Sequence, residues 1–88
     1  MYTKEVTIVN PSGLHARPAS DFVAQAEEFD CEISIARPGE EPVDAKSIVM
    51  LLTLGLCQGE KAVLSAEGEG AQAAVEQLAA LVAGGFGE

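Results

Sequence analysis

Tryptophan is absent from this 88-residue chain, and there are only one tyrosine, one histidine and two cysteines. Cations are also scarce: Lys4, Arg17, Arg37, Lys46 and Lys61 stand against 14 acidic residues, for a formal net charge of −9. Five scattered cations make no run that could follow a phosphate backbone. So acidic a chain repels nucleic acid and anionic lipid alike, which sets both aside as partners. The acids are dispersed, as on a solvated surface that keeps a protein soluble. Cys31 and Cys57 lack any short metal-ligand spacing, so no metal or other cofactor is expected, and both are read as free, buried thiols. Met1-Tyr2-Thr3-Lys4-Glu5 has no apolar core of the signal-peptide kind. The longest apolar stretch, Ile48 to Cys57, is interrupted by Thr53 and Gly55 and is too short to span a bilayer. A soluble, cytoplasmic protein is expected.

What the chain does have is 48% hydrophobic residues, enough to fold despite the charge. At this length folding buries roughly 60–65% of the unfolded surface, so residues 1–88 make a single domain with one two-layer core. A deep pocket walled on all sides has no room. Any chemistry sits at the surface, which favours a carrier or a binding module over an enzyme.

Two periodicities divide the chain. Tyr2 to Val9 is rich in β-branched residues and reads as a half-buried strand, ended by the turn formers Asn10-Pro11-Ser12-Gly13. From Ala16 the period changes: Ala19, Phe22, Val23 and Ala26 share one helix face, with Pro18 in the first turn, until Phe29-Asp30. Cys31, Ile33 and Ile35 alternate with polar residues as a second strand. Arg37 to Pro42 has the composition of a hairpin connection, and Val43 to Ala45 makes a short third strand antiparallel to the second. Ser47 to Leu54 is a short helix closed by Gly55. Ala62 to Glu67 alternates as a fourth strand. Ala71, Ala74, Val75, Leu78, Leu81 and Val82 form the stripe of a last helix, stopped by Gly84-Gly85. The order βαββαβα, with one greasy side per helix, gives an α+β fold: a two-layer open-faced sandwich with three helices on one face of a four-stranded antiparallel sheet.

The only histidine sits where a loop becomes a helix, in Gly13-Leu14-His15-Ala16-Arg17-Pro18-Ala19. First-turn N–H groups, those of Ala16 and Arg17 in particular, have no intrahelical acceptors. Together with the helix dipole they make a ready anion site, for which Ala16, Arg17 and Pro18 are the expected phosphate-binding residues. The dipole also disfavours an imidazolium, which leaves His15 a lone pair for attack on phosphorus. Arg17 adds a permanent charge with a planar donor fork suited to phosphate oxygens. The competing reading, a loop histidine beside an ordinary surface cation, leaves the convergence of turn, His, Arg, Pro and helix unexplained. Bound phosphate and covalent phosphohistidine need the same surroundings, so the residues alone do not separate them.

This segment closely resembles the active-site motif of the HPr family, the histidine-containing phosphocarriers of the bacterial sugar phosphotransferase system. Lys46-Ser47-Ile48 through Leu54-Gly55-Leu56 resembles that family's second motif, and Leu64-Ser65-Ala66-Glu67-Gly68 its last strand. The resemblance runs over essentially the whole chain, in order. It implies a sheet order of 1-4-2-3 and a phosphoryl group carried on Nδ1 of His15. It further implies Enzyme I, charged by phosphoenolpyruvate, as donor and sugar-specific IIA components as acceptors. The protein would be a carrier and not an enzyme, and a monomer.

Ser47 precedes an apolar helical segment and is suited to cap it. In many Gram-positive members of the family the matching serine, next to Lys46, is phosphorylated by an HPr kinase/phosphorylase and the product engages a transcriptional regulator. Members without that kinase keep the serine, so capping and regulation both stay open. Behind Ser47 run five apolar residues. Leu51 and Leu54 can be buried, which leaves Ile48, Val49 and Leu52 as an exposed patch awaiting a partner. By resemblance, this helix and the first one, which carries Ser20, form the docking face. Some relatives carry lysines there, where this chain has Ala24, Glu27 and Met50, and Asp21 stands one turn from Arg17. Docking is therefore expected to be more hydrophobic and less salt-dependent. Two rival functions remain: a regulatory module working through phospho-Ser47, and a plain ligand-binding domain, which leaves the histidine unexplained. An acyl carrier is disfavoured, because its fold is all-helical and Lys46 stands where it wants an acid.

Overall fold

Alternating residues become strands where one row of apolar side chains can turn to a common side. In the computed structural model, which describes residues 1–88, β1 spans Tyr2–Thr7, β2 Glu32–Ala36, β3 Val43–Asp44 and β4 Lys61–Glu67. The helices are α1 (Ala16–Ala26), α2 (Ile48–Leu54) and α3 (Ala71–Ala83), followed by a 3-10 turn over Gly85–Gly87. The strands form one antiparallel sheet in the order β1-β4-β2-β3. This is the α+β open-faced sandwich expected from the sequence, with the strand order implied by the resemblance.

Register explains the core. Tyr2 pairs with Ala66 and Ala66 with Ile33; Lys4 pairs with Leu64, Leu64 with Ile35, and Ile35 with Val43. These rows bury Ala66, Ile33, Leu64 and Ile35 under the helices. The neighbouring row of Thr3, Ser65, Ser34 and Asp44 is polar and faces the other way, so that side meets water. α3 crosses β1, β4 and β2, while α1 packs on α3 and α2. Phe22 of α1, Leu51 of α2, and Val75, Leu78 and Val82 of α3 are fully buried, as are Ile8, Leu14 and Leu56 from the loops. Each such side chain contributes roughly 2 kcal/mol by leaving water. Lys4 and Tyr2 lie on the inward face at the sheet edge, and both donate to the Glu76 carboxylate, which fastens β1 to α3.

Four local expectations shift. β1 ends at Thr7 and not at Val9: Ile8 still exchanges hydrogen bonds with Gly59 and Glu60, but Val9 turns to solvent. α1 ends at Ala26 and not at Phe29-Asp30, because the chain tightens into single turns closed by Glu28 N–H to Gln25 O and Phe29 N–H to Ala26 O. β3 is one residue shorter than expected, although Ala45 N–H still reaches Ile33 O at 3.0 Å. Cys31 is buried as expected, but Cys57 is exposed, because it lies in the surface loop between α2 and β4. No helix is long and apolar enough to cross a membrane.

Candidate functional site

His15 is the N-cap residue of α1, with extended backbone (φ −130°, ψ 161°), and its side chain makes no capping hydrogen bond. The half-buried ring is therefore not spent on its own helix. Ala16 and Arg17 open the first turn, where N–H groups have no acceptor within the helix, so the donors and the dipole address whatever sits beside the ring. Pro18, expected among the phosphate-binding residues, is buried and has no N–H to donate, so it shapes the turn and offers an oxyanion no hydrogen bond.

Ala16 has φ +49°, in the left-handed region. For a residue with a Cβ this costs about 1–2 kcal/mol. Such strain persists only where the surroundings fix the chain on both sides. Here Leu14 and Pro18 are buried on either side of it. Upstream, Gly13 N–H donates to Asn10 O at 3.1 Å and Leu14 N–H to Leu56 O at 2.9 Å. Gly13 (φ +67°) approaches the neighbouring loop so closely that a Cβ on it would stand 2.5 Å from Leu56 O.

That neighbouring loop is braced in turn. Arg37 donates from Nε to Glu60 Oε1 at 2.9 Å and from Nη2 to Gly55 O at 3.2 Å, while Glu60 Oε2 accepts Cys57 N–H at 2.8 Å. The guanidinium, then the Cys57 amide, hold the Glu60 carboxyl below its ordinary value, and Glu60 raises Arg37. Sequence reasoning counted Arg37 among scattered surface cations. In the fold it steadies the strand of backbone against which the His15 loop rests.

Arg17 is itself unencumbered. Its side chain is 91% exposed, and Asp21 Oδ2 lies 4.0 Å from Nε, at the limit of an ion pair. Exposed pairs of this kind hold little, so the donor fork is free to turn toward an oxyanion.

Ser47 does cap α2: Oγ accepts Met50 N–H at 3.3 Å, and Gly55 closes the helix with φ +63°. Lys46 reaches away from the serine, with Nζ donating to Phe29 O and its backbone N–H to Asp44 Oδ1 at 2.9 Å. It ties the chain beyond α1 to the approach to α2. On α2 itself Val49 (65%), Leu52 (45%), Met50 (38%) and Ile48 (36%) are exposed, while Leu51 is buried. Leu54, expected to be buried with it, is half-buried. α2 lies beside α1, on which Ser20 is exposed, so the apolar patch adjoins the helix that carries His15. The residues that sequence reasoning did not single out for the site, Asn10, Arg37, Glu60 and Glu88, hydrogen-bond within or onto the loops around His15. Only Asn10 carried a signal, as a turn former.

The family described as "PTS HPr component phosphorylation site" matches residues 2–84. The phosphocarrier protein HPr of Haemophilus influenzae is 46% identical over 82 residues, which cover 93% of this chain and 95% of that one. The phosphocarrier protein HPr of Streptomyces coelicolor is 44% identical over 88 residues, all of this chain and 95% of its own. Among solved structures, an HPr from Thermoanaerobacter tengcongensis superposes with a TM-score of 0.95 at 40% identity, covering 100% of this chain and 98% of that one.

Proposed function

Because this chain belongs to the HPr family of phosphocarrier proteins, we propose that His15 accepts a phosphoryl group from Enzyme I, charged by phosphoenolpyruvate, and passes it to sugar-specific IIA components. The lone pair of His15 Nδ1 attacks phosphorus. The new N–P bond forms as the bond from phosphorus to the donor's nitrogen breaks, and that nitrogen keeps the electron pair. Transfer to a IIA acceptor is the same displacement with this chain as donor. Ala16 and Arg17 N–H groups and the Arg17 guanidinium meet the phosphoryl oxygens. A transferred group has to leave as readily as it arrives, so a site that grips weakly at the surface suits a relay better than an enclosing pocket.

The observation that carries this reading is the uncapped His15 at the start of α1, beside two amide donors without helical partners. The exposed face of α2, next to α1, is the docking surface for both partners. Ser47 is the regulatory position: it caps α2 with its hydroxyl on Met50 N–H, directly before the exposed Ile48 and Val49, so a phosphate there places charge at the edge of the docking patch. Relay of this kind is cytoplasmic, and the protein is a stoichiometric carrier acting as a single copy.

The test is incubation with Enzyme I and phosphoenolpyruvate. One acid-labile, alkali-stable phosphoryl group is expected on the wild type, chased onto a IIA acceptor, and none on His15→Ala. An acid-stable adduct alone points to Ser47 and to a regulatory module instead. Substantial transfer by the alanine variant refutes the assignment.

A further inference from the structure

Beyond α3 the chain turns back on itself. Gly85, Phe86 and Gly87 have φ of +67°, +55° and +79°, and this tight turn carries Glu88 onto the loop that precedes His15. There Glu88 Oε1 accepts Asn10 Nδ2 at 3.1 Å and Ser12 N–H at 3.2 Å. The same Asn10 amide donates to Gly13 O at 2.9 Å, and Asn10 is buried, only 1% exposed. One carboxylate oxygen therefore gathers two donors of a single turn, and that turn's glycine carbonyl is held by one of them. Gly85 rests against Asn10, where an added Cβ would stand 3.7 Å from the Asn10 Cβ. Two residues beyond Gly13 stands His15, and next to it the strained Ala16. Arg17, Pro18 and Asp21 share one surface hollow with Phe86, Gly87 and Glu88, so the returning segment borders the helix start directly.

We propose that Glu88 is a positioning residue for phosphoryl acceptance: its carboxylate fixes the Asn10–Gly13 turn, which in turn holds Ala16 in the left-handed conformation that aims its N–H beside the His15 ring. Glu88 does not touch the phosphoryl group; it acts through Asn10 and Ser12. Beyond Ala16 the chain is fixed by the buried Pro18; before it the chain is held twice, by the Leu56 carbonyl on Leu14 N–H and by Glu88 on Asn10 and Ser12. This inference rests on His15 being the acceptor.

The experiment uses potassium phosphoramidate, a small phosphoryl donor that needs no docking, on the wild type, Glu88→Ala and Glu88→Gln. Glu88→Ala is expected to lose about fivefold to tenfold in maximal phosphorylation rate, with the donor concentration dependence nearly unchanged, because misplacement acts on the reacting geometry. Glu88→Gln restores the rate, since an amide oxygen accepts the same two hydrogen bonds. Amide 1H and 15N shifts of Ser12, Gly13 and Ala16 move in the alanine variant and return in the glutamine variant. Four results overturn the proposal: an unchanged rate in Glu88→Ala; a faster one, which makes the carboxylate a competitor of phosphate; no rescue by glutamine; or a rate loss matched by a large fall in Tm. A wild type that takes up no acid-labile phosphoryl group defeats the acceptor role of His15 itself, and is told apart because all three chains then stay unmodified.

Discussion

Gly13→Ala separates two penalties that usually arrive together, because a matched control exists in the same chain. Gly13 and Gly39 both have left-handed backbone, with φ of +67° and +82°. A Cβ at Gly39 would meet nothing within 4 Å, whereas at Gly13 it would meet Leu56 O at 2.5 Å and the Cys57 Cα at 3.0 Å. Gly39→Ala therefore carries only the left-handed penalty of about 1–2 kcal/mol, partly offset by a stiffer unfolded chain. Gly13→Ala carries that and more. Its contacts are backbone atoms, which cannot swing aside, so the two loops must part at a further cost of about 1–3 kcal/mol. Parting them also stretches the Leu14 N–H to Leu56 O bond, worth about 1 kcal/mol. For a domain of this size 1 kcal/mol moves Tm by about 5 °C. By thermal unfolding, Gly13→Ala should melt about 10–20 °C below Gly39→Ala, with slowed phosphoryl acceptance only in the former. If the two variants melt within about 2 °C of each other, the close approach of these loops is not what holds the site.

Val49→Asp tests the docking patch: at 65% exposure its stability effect stays within about 0.5 kcal/mol. Phosphoryl transfer from Enzyme I should weaken about tenfold or more through a higher apparent KM, while phosphoramidate still modifies the variant at the wild-type rate; equal losses in both assays would place the defect in the chemistry. Acid stability tests the carboxylate anchors. Glu76 is held below its ordinary 4.5 by hydrogen bonds from Tyr2 and then Lys4, and Glu60 by Arg37 and then the Cys57 amide. A depressed carboxyl stabilises the fold above its unfolded value and loses that contribution as pH falls through its folded value. The Tm gap between wild type and a Glu60→Gln, Glu76→Gln double variant should be constant from pH 7 to about pH 5 and close below the ordinary carboxylate range. A gap that closes near neutrality would contradict this.

Much of this fold was written in side-chain periodicity. Phe22 and Ala26, and Val75, Leu78 and Val82, lie on the buried stripes of their helices because spacing of three and four residues returns to one face. Leu64 with Ala62 and Ala66, and Ile33 with Ile35, are buried because a strand alternates. Periodicity says nothing about which strand lies beside which, and the order β1-β4-β2-β3 came from resemblance to a family. The placement of His15 at a helix start followed from turn formers meeting a helical period. Its supports did not. Asn10 meets Glu88 across 78 positions and Arg37 meets Glu60 across 23, and contacts between single polar residues so far apart leave no repeating pattern to read. Ala16 was equally silent, since alanine in left-handed backbone is imposed by its neighbours and not chosen by its side chain.

That imposed conformation links stability to function. Left to itself, Ala16 would favour right-handed helix by about 1–2 kcal/mol, and a regular start to α1 would follow. A regular start allows the N-cap side chain to turn inward and occupy the amide donors. In this chain the buried Leu14, the Leu56 carbonyl and the Glu88 carboxylate hold the loop that leads into Ala16, and His15 has extended backbone and no capping bond. The donors and the ring are thereby left to an incoming group. Stability drawn from the two braced loops is what holds that conformation, so a substitution that relieves the strain but keeps left-handed backbone should stabilise the helix start and leave phosphoryl acceptance intact. Ala16→Gly is such a substitution, since glycine adopts positive φ without penalty, and its Tm and its phosphoramidate reactivity check this. An unchanged or lower Tm together with a slowed rate would show that the left-handed backbone at this position is not what holds the acceptor.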